Sequence, residues 1–151
     1  MYLQRGENNR DCILASAAMV MDEPLADLKK RIGHDGGKKV FDAPEPYCYN
    51  GFHIQEIIDQ AFLYNWSVMN IQAHPATGQV NGPGVYPLPI NDNRINVYMK
   101  RFPGIVAGVL GGHTHAVAWD KTKIFDPSGF VYKLKEYKFQ IHEFWAFSRY
   151  V

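Results

Sequence analysis

The chain has 151 residues, 46% of them hydrophobic and 14% aromatic, with 16 Lys+Arg set against 15 Asp+Glu. A chain this apolar offsets its conformational entropy by burying a core, so disorder is excluded and one packed domain over 1–151 is expected. The net charge of +1 offers no basic field to nucleic acid or an anionic membrane, and no apolar run approaches the roughly 18 residues of a spanning helix.

The opening "MYLQRGENNRDC" lacks the apolar stretch of a secretory signal, so the expected setting is a reducing cytoplasm with Cys12 and Cys48 unpaired. From Cys12 to Met21 no charge interrupts a run whose Ile13/Ala17/Val20 and Leu14/Ala18/Met21 stripes have helical spacing. A helix apolar on nearly every side is a buried central helix. Asp11 is placed to cap it with its carboxylate, which puts Cys12 in the first turn. A second helix is predicted from Pro24 to Ile32, capped by Asp22 and stopped by Gly33. The basic stretch Lys29 to Lys39 reads as its solvated face and the turn beyond. Residues 34–51 read as a loop; "GHDGGKK" within it has its glycine misplaced and Lys39 where a phosphate loop needs Ser or Thr.

Ile54, Ile57, Ile58, Ala61 and Phe62 define one face of a third helix. A strand at 67–72, a Pro/Gly-punctuated loop at 75–93 and a short helical turn from Arg94 to Arg101 follow. The remainder is strand-like at 105–110, 115–119, 123–126, 131–134 and 139–147. In the last of these, Phe139, Ile141, Trp145 and Phe147 are expected on one face. Helices first and an antiparallel sheet second make an α+β fold.

The chemistry gathers at two places. The turn Asp120-Lys121-Thr122-Lys123 joins two apolar strands into a hairpin, whose usual closure sets His115 nearly opposite Asp126. Cβ atoms of directly opposed residues lie about 5 Å apart, near enough for a carboxylate to orient an imidazole. At the other place, Cys12 meets the unpaired N–H groups and positive pole of a helix N-terminus, which favour thiolate. Together these make Cys12 a nucleophile, His115 its base and acid, and Asp126 the orienting group. The oxyanion would rest on the Cys12 N–H and an upstream side-chain amide.

On "DCILASAAM" (11–19) and "HAVAWDKTKIFDPSG" (115–129), preceded by Gln4, the sequence resembles the papain-like cysteine peptidase superfamily. It is most similar to small members akin to the bacteriocin-leader peptidases, stand-alone versions of which occur in bacteriophages. The resemblance implies a papain-like fold, with the nucleophile opening a buried central helix packed on the C-terminal sheet, and it sets Cys12, His115 and Asp126 in the triad. It also implies a glutamine at position 6, where this chain has Gly6. Gln4 is the preferred donor, with Asn8 and Asn9 as alternatives. His113 and Tyr86, the latter in the 75–93 loop, are expected to line the cleft.

Two other uses of the same residues are open. His113, His115, Cys12 and Asp126 could form a tetrahedral metal set, but no Cys-x-x-Cys or His-Glu-x-x-His accompanies them, so neither metal nor cofactor is expected. The nine tyrosines and the displaced glutamine also suit a non-catalytic binding module, for instance a component of a phage particle. The expected partner is a peptide or protein substrate, or in the second case a virion protein.

Overall fold

A computed structural model of the chain describes residues 1–8, 10–36, 51–72 and 94–150. Within them lie α1 (Cys12–Met21), α2 (Leu25–Ile32), α3 (Ile54–Leu63), β1 (Trp66–Gln72), α4 (Arg94–Met99), β2 (Gly104–Leu110), β3 (His113–Trp119), β4 (Lys123–Asp126), β5 (Phe130–Lys133) and β6 (Gln140–Arg149). A 3₁₀ turn at Leu134–Glu136 separates β5 from β6. The fold is α+β: four described helices and one antiparallel six-stranded sheet in the order β1-β6-β2-β3-β4-β5. None of the described helices is long and apolar enough to cross a membrane.

The uniform apolarity of α1 has a direct cause: every residue from Leu14 to Met21 is buried. Helices α2 and α3 cover one side, and Ile105, Ala116, Ala118 and Phe147 of the sheet cover the other. Ser16 enters this core because its hydroxyl donates back to the Cys12 carbonyl at 2.7 Å, which satisfies it locally. On the opposite face, α4 packs through Ile95 and Met99 on Val106, Val117, Ile124 and Phe144. Trp119 pins that helix by donating its indole N–H to the Met99 carbonyl at 2.7 Å.

Asp22, expected to cap α2, instead closes α1 in the left-handed conformation (φ 56°) and leaves Pro24 at the α2 N-cap. Proline has no side-chain acceptor, so a distant residue supplies the cap: Gln4 Oε1 accepts from the Leu25 N–H at 2.8 Å, and Gln4 Nε2 donates to the Glu23 carbonyl at 2.6 Å. Gly33 ends α2 with φ 91°, as its position predicts. At α3, His53 and Glu56 form a reciprocal capping box, and Glu56 also pairs with His34 Nε2 at 2.6 Å.

The expectation for β6 needs revision. Trp145 and Phe147 pack with the helical layer, whereas Phe139 and Ile141 pack with the α4 layer. Ala107 pairs with Glu143 but Gly108 pairs with Ile141, so His142 is an extra residue in the ladder. This bulge reverses the in–out phase of the strand, which simple alternation cannot anticipate. β6 is also buried on both sides, with Phe144 and Ala146 under α4. Gly108 is required at the bulge: a Cβ there would lie 2.0 Å from the Gln140 carbonyl oxygen.

Candidate functional site

Cys12 is the first residue of α1, half-buried at its mouth. Asp11 does not cap the helix as expected. Its backbone (φ −110°, ψ 13°) gives no side-chain cap bond, and the fully buried carboxylate instead accepts from the Glu7 N–H and from Lys29 Nζ, both at 2.8 Å. Lys29 is correspondingly not on a solvated face; it is buried, with Glu7 a second partner at 3.3 Å. Desolvation would lower the Lys29 pKa, but its bonds to Asp11 and Glu7 prevail and hold it above the usual lysine range. The acidic neighbour of the thiol is thereby neutralised, and the 5–8 segment is tied to α1 and α2.

This ion pair also explains position 6. A Cβ on Gly6 would stand 2.5 Å from Asp11 Oδ1, so a glutamine there would collide with the buried carboxylate. The Gly6 N–H is bonded to the Pro127 carbonyl at 2.8 Å, which brings the N-terminal segment against the end of β4.

The β3–β4 ladder contains only Ala118↔Phe125 and Trp119↔Ile124. Continued, that register would set Val117 across from Asp126, two residues from the expected partner. The shift keeps His115 and Asp126 on one face. Where the ladder stops, the side chains bridge the gap: His115 Nε2 lies 2.9 Å from Asp126 Oδ1. The turn is held by Asp120, whose Oδ1 accepts from the Thr122 N–H and Oγ1 at 2.8 Å and from the Lys123 N–H at 2.7 Å.

Asp126 is buried, which alone would raise its pKa, but three donors prevail and hold it far below the carboxylate range. These are His115, the Tyr137 hydroxyl on Oδ2 at 2.5 Å and the Ser128 N–H on Oδ1 at 2.9 Å. A carboxylate only accepts, so Nε2 carries a proton, and Nδ1 is not used by Asp126. The bond to Asp126, then the neighbouring Cys12, raise the His115 pKa to about 9. The arrangement can therefore keep an imidazolium beside a sulfur at a helix N-terminus. Tyr137 lies beyond β5 with no motif around it; only the fold reveals its role.

Two depressions meet at this pair. One, of about 590 Å³, is bordered by Arg5, Glu7, Asn8 and His113. The other, of about 260 Å³, is bordered by Gly108, Thr114, His142 and Glu143. His113 is thus on the cleft rim, and the β6 bulge places His142 there too. Gln4, the preferred oxyanion donor, has its amide committed to α2 and borders neither depression. Asn8 borders the larger one; its Oδ1 accepts from the Arg10 N–H and its Nδ2 donates to the Asp35 carbonyl at 3.1 Å, leaving one amide N–H. Asn9, Cys48 and Tyr86 lie outside the described residues. Among those described, no group of three or more His, Cys, Asp or Glu side chains is placed to hold a metal ion. No protein-family model and no curated protein matches the chain.

Proposed function

We propose that this protein is a papain-like cysteine hydrolase that cleaves a peptide, isopeptide or related amide. One observation carries the reading: a single imidazole lies between a helix-terminal cysteine and a buried carboxylate, where two surface depressions join. In the first step Cys12 Sγ bonds to the substrate carbonyl carbon, while His115 gives its proton to the departing amine as the C–N bond breaks. In the second, His115 takes a proton from water, whose oxygen displaces Sγ from the thioester and releases the acid. Asp126 keeps the imidazole oriented through both steps. The Cys12 N–H and the remaining Asn8 amide N–H are the donors assigned to the oxyanion. Peptide on either side of the scissile bond would occupy the two depressions.

The test is trapping. Incubation with an electrophilic peptide probe should add one probe mass at Cys12, and Cys12→Ala and His115→Ala should both abolish labelling. Labelling that survives His115→Ala at the original rate would refute the reading.

The commitment of the Gln4 amide to α2 favours one alternative, a papain-like module that binds a protein partner without turnover. Cys12→Ala separates the two: it abolishes the function of a hydrolase and leaves that of a binding module intact.

A further inference from the structure

Asp126 has more donors than orientation of His115 requires. Oδ1 already accepts from His115 Nε2 and the Ser128 N–H, both at 2.9 Å, and that pair fixes the carboxylate plane. Oδ2 receives a separate bond from Tyr137 Oη at 2.5 Å, the short range of O–H···O⁻ contacts, where a donor withdraws appreciable charge. The phenol is held there by its surroundings. Its ring packs on Tyr132 at 4.9 Å and Phe139 at 5.4 Å, and Phe139 stands perpendicular to the His115 ring, at 6.5 Å and 89°. The same aromatic group therefore braces both ends of the histidine–carboxylate pair.

We propose that Tyr137 acts on His115 through Asp126: by taking part of the carboxylate's charge, it keeps the imidazolium able to release its proton. Tyr137 is then a positioning residue of the site, a role that rests on the hydrolase reading above. An imidazolium bound to an unmoderated carboxylate holds its proton more firmly and delivers it more slowly to a leaving amine. The titratable and charged groups around the His115–Asp126 pair are Cys12 from α1, Tyr132 from β5 and Tyr137, with His113 of β3, His142 and Glu143 of β6, and Arg5 and Glu7 on the adjoining rims.

The test is a histidine titration by NMR, with the His115 signal assigned by its loss in His115→Gln. Tyr137→Phe keeps the packed ring and should raise the His115 midpoint by about 0.5–1 pH unit. A fluorinated tyrosine at 137, a stronger donor that keeps the hydroxyl in place, should lower it. Tyr132→Phe should leave it unmoved. With a cleavable peptide, Tyr137→Phe should reduce kcat several-fold at unchanged KM. A midpoint indifferent to both changes at 137, or one that falls in Tyr137→Phe, overturns the proposal. The titration requires no turnover: a shift without peptide cleavage sinks the hydrolase reading alone, and cleavage without a shift sinks this proposal alone.

Discussion

Asp126→Asn removes a charge and almost no volume, so it isolates what the carboxylate does for His115. The asparagine Oδ1 can still accept from His115 and the Ser128 N–H, and Tyr137 can reverse its hydroxyl to accept from Nδ2, so the fold should persist. The bond to His115, the largest contribution to its raised pKa, then comes from a neutral amide, and the Asp126 charge, a smaller contribution, is lost. With that value at about 9, about 97% of His115 is protonated at about pH 7.5; at the ordinary value of about 6.5, the fraction is about 9%. With the thiolate of Cys12 held by that proton, its alkylation by iodoacetamide should slow by up to about tenfold at this pH, the full factor marking a complete return to the ordinary value. The assay is the rate of carbamidomethylation at Cys12, read by peptide mass spectrometry on folded protein. An unchanged rate in Asp126→Asn would show that the thiol does not depend on the pair.

Three further outcomes follow from the same contacts. Lys29→Met should destabilise the protein by about 3–5 kcal/mol in urea titration, because it leaves Asp11 as a buried carboxylate without its counter-charge. Gln4→Ala should cost about 0.5–2 kcal/mol through the lost α2 cap, yet leave kcat for a cleavable peptide unchanged, whereas loss of an oxyanion donor would lower it. Stability should also depend on pH in two limbs. His115 binds its proton more tightly folded than unfolded, so its contribution is full below about pH 6.5 and disappears as pH rises to about 9. Asp126 is depressed, so its contribution is full above the ordinary carboxylate value and is lost as pH falls through its lower folded value. Melting temperature should therefore decline from pH 6.5 to 9 in the wild type, and less so in Asp126→Asn.

Local signals in this chain were legible where one segment determines its own structure. The uncharged run Cys12–Met21 is α1 from end to end, Gly33 stops α2, and Lys123–Asp126 is β4. In the same way, the turn at Asp120 brings His115 to Asp126, although the ladder is displaced by two residues. What was not legible depends on pairs distant in the chain. Asp11 is a plausible cap by its position, but Lys29 claims its carboxylate from another helix. Gln4 is plausible as an oxyanion amide, but α2 begins at a proline and takes that amide for its own N-terminus. The phase of β6 changes at His142 because Gly108 admits the neighbouring backbone too closely for regular pairing. Tyr137 carries no local pattern; only the path through Leu134–Glu136 returns its hydroxyl to Asp126.

Activation of Cys12 by His115 is tested most directly by one comparison: iodoacetamide alkylation of native protein at about pH 6, resolved between Cys12 and Cys48, with and without His115→Ala. Cys12 should react well ahead of Cys48 in the wild type and lose that lead in the variant. Equally slow reaction of both cysteines, or a lead that survives loss of the imidazole, would contradict it.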